Sequence, residues 1–361
     1  MASQTEPSHH KHSKYILISN CESYVGHALA HHLASELMLR PGMMKKHWRV
    51  RALCHNLQGM EDLIQAGVDV QQVNYQDEMM LRSQMKHVRS LIITMGTNES
   101  RVTDTIKVIT VASSEKVKRV QMISCTGCQY AESEQSPMGQ YHMLEQLMRS
   151  TFAYGRWCVF RLTFMNQGFY FWKDMIEHSG KIGMSMSETT QFTTISIQDV
   201  CDALATLVLS PKKQDIEGSS LLAVDDDEDD EENPEHLKRI YELTGQCPYT
   251  GEFAARKLNE ALGAEEGEIQ YEEMSEEELR EYLHRMSARP NQADPPGLVP
   301  DPHRYLNEQA INIMLDWFKI LERTGMGQKV TDDIRDLTGR EPKDLGQFFI
   351  ENRNEFRRPS K

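Results

Sequence analysis

Short apolar runs alternate along the chain with segments in which apolar residues recur every three or four positions. Runs of the first kind are typical of buried strands, and segments of the second kind are typical of helices that pack by one face. The predicted strands cover residues 15–19, 48–53, 68–73, 90–94, 119–124 and 157–162. The predicted helices cover residues 25–39, 60–66, 80–85, 102–113 and 139–151.

This regular alternation predicts an α/β fold, a Rossmann-like doubly wound parallel sheet with helices on both faces. A smaller and mostly helical C-terminal region follows, over residues 235–286 and 304–356, with a proline-rich loop at 287–303 between them. We therefore divide the chain into a disordered tail (1–13), a Rossmann-like NAD(P)-binding-type domain (14–224), an acidic loop (225–233) and a helical C-terminal region (234–361).

Charge and hydropathy narrow the range of partners. The chain has 361 residues and a net charge of −14, which disfavours direct binding to nucleic acid. No apolar stretch is long enough to span a membrane, and the N-terminus lacks an apolar signal core, so we expect a cytoplasmic or nuclear protein. The acidic run DDDEDDEE at 225–232 predicts a solvated loop, with a partner-binding patch as the alternative.

The turn after the first predicted strand departs from the glycine pattern of a dinucleotide site. In Rossmann folds, glycines let this turn approach a diphosphate at the N-terminus of the next helix. Asn20 and Ser23 stand at the first two glycine positions, and only Gly26 is kept. Asparagine tolerates the left-handed conformation, so the turn can persist. The Ser23 side chain and the charge of Glu22 oppose a bound diphosphate, so we predict that NADP binds weakly or not at all.

Other cofactor contacts are predicted where the next strands end. An NADP-binding protein commonly has an arginine after the second strand for the 2′-phosphate. His55 stands at that place, and its charge depends on pH. Arg51 faces the other side of the strand if the strand alternates. The predicted degenerate site comprises Asn20, Ser23, Tyr24, Val25, Gly26, His55, Asn56 and Thr94.

Several segments together resemble the NmrA-like family of atypical short-chain dehydrogenases/reductases. They are VRALCHN, GVDVQQVNYQD, VKRVQMISCTG, RWCVFRLTFMNQGFY, TTISIQDVCDALATLVLSP with Asp199 in its strand-to-helix turn, and VTDDIRDLTGREPKDLGQFFIENRNEF. The resemblance covers roughly residues 14–356, and the acidic run with the segment up to about Gln246 looks like an insertion. It implies a nucleotide-binding fold, in a family that contains both NAD(P)-sensing regulators and true reductases.

The resemblance also implies where catalytic residues would lie. Short-chain reductases use a Tyr-x-x-x-Lys pair, in which the lysine lowers the tyrosine pKa. The matching helix has Tyr141, but Glu145 stands at the lysine position, and in an alternative register Tyr141 itself occupies that position. A carboxylate there is expected to raise the tyrosine pKa. Ser124 matches the catalytic serine but has no evident partner, so no catalytic residue is predicted.

Two pairs of residues have a spacing that is compatible with a metal or thiol site. Cys125 and Cys128 have the spacing of a redox or zinc half-site, but no second such pair exists in the sequence. His27 and His31 share a helix face without a metalloprotease motif. We predict a simple loop at the cysteines and no metal site.

The leading functional hypothesis is a non-catalytic NmrA-like regulatory or scaffold protein that senses NAD(P) weakly and binds a protein partner. The joint loss of two glycines and of the lysine favours this interpretation. The alternative is an NADP-dependent oxidoreductase of the atypical short-chain type. A third is a structural subunit of a larger complex.

Overall fold

The computed structural model describes residues 13–153, 155–209, 238–288 and 302–359. The predicted acidic loop, residues 1–12 of the predicted tail and most of the proline-rich segment lie outside these residues. The strands are β1 (Lys14–Ile18), β2 (Trp48–Cys54), β3 (Asp69–Gln72), β4 (Val88–Ile93), β5 (Arg119–Cys125), β6 (Arg156–Leu162), β7 (Phe164–Met165), β8 (Lys181–Met184), β9 (Thr194–Ile195), β10 (Arg239–Leu243) and β11 (Gln270–Glu273).

Seven of these strands form one sheet in the order β10-β6-β5-β4-β1-β2-β3. Every neighbouring pair in this sheet is parallel. The order reverses between β1 and β4, and in open α/β sheets ligands bind at such a switch point, outside the carboxyl ends of the strands. The predicted doubly wound parallel sheet is confirmed.

Helices cover both faces of the sheet. They are α1 (Tyr24–Met38), α2 (Pro41–Lys45), α3 (Glu61–Gln65), α4 (Glu78–Gln84), α5 (Arg101–Ser114), α6 (Pro137–Thr151), α7 (Lys173–Ser179), α8 (Ile197–Leu209), α9 (Gly251–Leu262), α10 (Glu276–Ser287), α11 (Glu308–Thr324), α12 (Asp333–Thr338) and α13 (Leu345–Glu351). On one face Leu29 of α1 and Leu204 of α8 belong to the same buried cluster. On the other face Val108 of α5 and Leu144 of α6 belong to a second cluster. No helix in the described part of the chain is long and apolar enough to cross a membrane.

The C-terminal region is mostly helical, as predicted, but it also contributes strands. Arg239–Leu243 pairs in parallel with β6 and becomes the seventh strand of the main sheet. The expectation that the chain up to about Gln246 is an insertion is therefore wrong for these residues. These residues join the sheet because Tyr241 and Leu243 are fully buried and extend the core beyond β6. Helix α11 of this region packs against α6, close to the carboxyl edge of the sheet.

Candidate functional site

The turn between β1 and α1 keeps its left-handed geometry without a glycine at its first position. Asn20 adopts a positive φ of 46°. Its backbone N–H donates to the Tyr75 hydroxyl at 2.8 Å, and its Nδ2 donates to the Thr94 carbonyl at 2.9 Å. These two contacts tie the turn to the chain after β3 and after β4. The asparagine side chain thus supplies a hydrogen bond to a neighbouring strand end, which helps to offset the conformational cost of the left-handed turn.

Ser23 and Gly26 shape the N-terminus of α1. The Ser23 hydroxyl caps the helix and accepts a hydrogen bond from the Gly26 N–H at 3.1 Å. A Cβ at Gly26 would lie 2.8 Å from the Asn20 carbonyl oxygen and 2.9 Å from Thr94 Oγ1. Gly26 is therefore required for close packing of α1 against the turn. Because Ser23 takes one of the helix's free amides, the anion-binding capacity of this terminus is reduced.

The Glu22 carboxylate accepts hydrogen bonds from the backbone amides that follow β2. Its Oε1 accepts a hydrogen bond from the backbone N–H of His55 and another, at 3.1 Å, from that of Asn56. The same oxygen lies 3.3 Å from His55 Nδ1. In Rossmann folds the end of the second strand faces the adenosine ribose and, in NADP, its 2′-phosphate. The residues present do not fit a 2′-phosphate, because a carboxylate of the chain already holds that place.

His55 links Glu22 to a second carboxylate. Its Nε2 lies 3.0 Å from Oδ2 of Asp104, which is 1% exposed. Asp104 also accepts hydrogen bonds from Gln76 at 2.8 Å and from Ser100 at 2.5 Å. The hydrogen bond to Glu22 raises the pKa of His55, and Asp104 adds to this effect against the opposing effect of burial. The arrangement is a bridge in which the His55 ring joins two carboxylates.

We expect the His55 bridge to make stability fall as pH rises. Since the folded-state pKa of His55 is raised above its ordinary value of 6.5, its contribution is present below 6.5 and is lost as pH rises through the folded-state pKa. Urea unfolding of the wild type and of His55→Gln between about pH 5.5 and pH 9 measures this contribution. The difference between the two proteins should shrink with increasing pH. The exposed His178, replaced in the same way, serves as the control, and a pH-independent difference at His55 would contradict the assignment.

An apolar cavity of about 240 Å³ lies over the switch point of the sheet. The ends of β4, β5 and β6 meet there with the first turn of α1 and one face of α11. None of the described residues that line it is an aspartate, glutamate, lysine, arginine or histidine. A dinucleotide diphosphate would therefore find no side-chain cation in this cavity, and apolar groups are the better match for its walls.

The predicted cofactor residues fall into three groups. Ser23, Tyr24, Val25 and Thr94 line the apolar cavity. Asn20 and Gly26 support the turn beneath it, whereas His55 and Asn56 belong to the Glu22 cluster. Sequence reasoning placed Glu22 beside the diphosphate, but its contacts lie farther along, at the end of β2.

A segment of the C-terminal region spans the cleft. Arg304 Nη2 donates to the Gly59 carbonyl at 3.1 Å, on the β2 side. The Tyr305 ring meets the Tyr24 ring edge-on, with 5.4 Å between centroids. Asn307 Nδ2 donates to Thr97 Oγ1 at 2.8 Å, on the β4 side. We call residues 302–307 the covering segment, since it contacts both sides of the cleft.

At the lysine position of the short-chain reductases, Glu145 forms a buried ion pair. It is 0% exposed, and its two carboxylate oxygens accept from Arg161 Nε at 3.0 Å and Nη2 at 2.7 Å. Ser124 Oγ donates to the same carboxylate at 2.5 Å, and Cys128 Sγ lies 3.2 Å from it. Arg161 lies on β6. Its partner comes from α6 and could not be identified from sequence spacing.

Tyr141 lines the cavity but lacks the cation of a short-chain reductase. Burial raises the pKa of its hydroxyl, with the neighbouring Cys125 acting in the same direction and the charge of Arg101 opposing. The expected direction is confirmed, but the expected cause is wrong, because Glu145 is neutralised by Arg161. The Arg101 guanidinium lies 5.3 Å from the centre of the Tyr141 ring. A tyrosine held protonated at neutral pH is a hydrogen-bond donor.

The cysteines and histidines considered as thiol or metal sites are held by contacts with other side chains or by burial. Burial raises the pKa of Cys125 to about 12, so its thiol stays protonated at neutral pH. Ligand atoms of Cys128, His142 and Glu145 lie within 4.8 Å of one another. Arg161 already holds both Glu145 oxygens, so a cation there would face a guanidinium. His27 is fully buried and lies 2.6 Å from an Asp62 oxygen, which explains its place on α1 without a metal.

Known proteins share the sheet and the cleft described above. The parallel sheet, the turn over α1 and the cleft at the switch point define a Rossmann-type dinucleotide-binding fold. Residues 37–211 match the NAD(P)H-binding family. No significant match is found among curated proteins.

Several solved structures share the fold over nearly the whole chain. The triphenylmethane reductase of Citrobacter sp., solved with NADP(H), has a TM-score of 0.66 and 17% identity, over 94% of this chain and 99% of that one. The NADPH-dependent quinone oxidoreductase of Escherichia coli, solved with NADPH, has a TM-score of 0.66 and 16% identity, over 93% and 99%. The negative transcriptional regulator NmrA, solved with NAD, has a TM-score of 0.61 and 13% identity, over 94% and 95%.

These matches confirm the Rossmann-type fold that the resemblance implied, a fold shared with NmrA and with the two reductases. The chain has the fold of these three structures. Both a regulator and reductases share this fold, so the fold alone does not choose between the two functions.

Proposed function

We propose that the protein is a non-catalytic NmrA-like regulatory or scaffold protein that binds NAD(P) weakly. The observation that carries the proposal is the buried Glu145–Arg161 pair at the place of the reductase lysine. A reductase lysine holds the nicotinamide ribose and lowers the tyrosine pKa, and Glu145 can do neither. Tyr141 therefore stays protonated, without the activation that proton transfer to a substrate requires.

Two features of the cleft support weak binding of the cofactor. Glu22 takes the backbone amides of His55 and Asn56, and the cavity walls carry no cationic side chain among the described residues. NADP brings a diphosphate and a 2′-phosphate, so both ends of the site lack compensating charge. NADH lacks the 2′-phosphate, so it meets only the obstacle at the diphosphate, where the cavity walls carry no compensating charge.

The regulatory role requires a protein partner, in the cytoplasm or the nucleus. An acidic chain with a net charge of −14 is suited to contact a basic protein surface rather than nucleic acid. Co-purification at a fixed stoichiometry from cells is the expected result. Recovery of the chain alone under gentle conditions would count against a stable partner.

The direct test combines a binding titration with a turnover assay. Calorimetric titration should give a dissociation constant for NADPH of about 100 μM or weaker, which corresponds to less than about 6 kcal/mol of binding free energy. NADPH oxidation with a quinone or a triphenylmethane dye should stay at the level of the buffer blank. The Escherichia coli quinone oxidoreductase is the positive control. Robust turnover would instead support the alternative, an NADP-dependent oxidoreductase, for which the position of Tyr141 in the cavity is the favourable observation.

A further inference from the structure

The cavity over the switch point has a composition suited to a ligand other than a nucleotide. Its walls are formed by aromatic and aliphatic side chains, among them Phe164, Phe171, Trp317, Met138, Ile313 and Met314. Phe164 and Trp317 lie nearly parallel, with ring centroids 6.0 Å apart. Flat aromatic groups pack well against such faces. Because no charged side chain among the described residues lines the cavity, an ionic ligand would be desolvated without compensation.

Volume limits the size of the ligand. A cavity of about 150 Å³ in another protein holds one benzene molecule, and this cavity measures about 240 Å³. Two fused rings with a small substituent therefore match the space. The covering segment closes one side through Pro302 and Tyr305, and the face of α11 closes another through Ala310.

Among the hydroxyl groups that line the cavity, that of Tyr141 is suited to contact a polar atom of the ligand. The hydroxyls of Thr94 and Thr163 donate to the backbone carbonyls of Ser19 and Thr193. Tyr141 lines the cavity and keeps its proton, since burial raises its pKa. Its hydroxyl already contacts Cys125 and Arg101. Because a thiol sulfur is a weak acceptor, the Tyr141 proton can be donated instead to a stronger acceptor of the ligand, such as a carbonyl oxygen.

We propose that this cavity binds a neutral aromatic molecule of about two fused rings with a hydrogen-bond acceptor, which lies over the first turn of α1 in place of a dinucleotide and accepts from Tyr141. The inference rests on the proposed function in one respect, namely that NADP binds this cleft only weakly. It adds a ligand class and a recognition residue to that function.

The test uses a pair of probes that differ in the acceptor alone. 1-Aminonaphthalene, a two-ring compound whose fluorescence responds to an apolar site, is bound first and is then displaced by 2-acetylnaphthalene or by 2-ethylnaphthalene. Micromolar displacement by both is expected, with the ketone binding more tightly. Tyr141→Phe should weaken the ketone about fivefold, the value of one hydrogen bond, and leave the ethyl compound unchanged.

A second variant fills the cavity. Ala310→Phe should reduce binding of both naphthalenes at least about tenfold, whereas Lys319→Phe, at an exposed position of the same helix, should not. If Ala310→Phe fails to fold, the Tyr141 comparison still decides. Absence of saturable binding would overturn the inference, and so would an equal affinity for the ketone in the wild type and in Tyr141→Phe. In either case, weak binding of NADPH would leave the proposed function standing. Displacement of the dye by micromolar NADPH would overturn both.

Discussion

Glu145→Gln should lower the free energy of unfolding by about 3 kcal/mol, because it leaves the Arg161 guanidinium buried without its main partner. Both Glu145 oxygens accept from Arg161, and neither residue has appreciable exposure. Removing one partner of a buried pair costs about 3–5 kcal/mol. The lower end applies here, because Glu242 remains 3.6 Å from Arg161 Nη1. Urea unfolding of the two proteins measures the difference.

A double variant separates the ion pair from simple packing. Glu145→Met with Arg161→Met removes both charges and keeps the volume, so it should be more stable than either single variant. Glu341→Gln breaks an exposed pair with Arg335 and should change stability by no more than about 0.5 kcal/mol. Equal losses at Glu145 and Glu341, or strict additivity in the double variant, would show that the buried pair has no special role.

Glu22→Ala should strengthen NADPH binding about 10- to 100-fold. The change removes one negative charge next to the 2′-phosphate position and frees the amides of His55 and Asn56, which the carboxylate now occupies. A like-charge contact near a protein surface costs a few kcal/mol, and about 1.4 kcal/mol corresponds to tenfold in affinity. Freed from Glu22, the His55 ring can donate a hydrogen bond to the phosphate instead. Calorimetric titration with NADPH measures the gain.

NADH serves as the matched ligand for this experiment. It lacks the 2′-phosphate, so its affinity should rise much less in Glu22→Ala than that of NADPH. Glu61→Ala removes an exposed acidic side chain from α3 and should leave both affinities unchanged. An unchanged dissociation constant for NADPH in Glu22→Ala would remove the main physical reason for weak binding.

The sheet was predictable because its strands carry their own signal. Ile16, Leu17 and Ile18 form a continuous apolar run, and both faces of a parallel sheet are buried, so such runs mark its strands directly. The periodic segments between the strands gave the flanking helices in the same way. The strands β7 and β9 have two residues each, too few for any period to appear. The strand β11, with sequence QYEE, is polar and pairs with β8 at the edge of the C-terminal region.

The candidate site could be predicted where its residues lie in the turn after β1 or at the end of a strand, such as Thr94, but not where side chains pair across the sheet. Asn20, Ser23 and Gly26 share one turn, and the missing glycines are visible by comparison with the Rossmann pattern. The partners of Glu22 and Glu145 come from β2 and β6, and only the folded sheet brings them together. Glu145 looked like a carboxylate that perturbs Tyr141, because its counterion lies 16 positions away along the chain.

The origin of the seventh strand has a consequence for synthesis on the ribosome. β10 begins at Arg239, well beyond residue 211, where the match to the nucleotide-binding family ends. A nascent chain that has emerged only that far carries β6 as an open edge, with unpaired N–H and C=O groups. Such an edge is a template for pairing with other chains. We therefore expect β6 to be exposed to pairing with other chains during the interval between its emergence and that of β10.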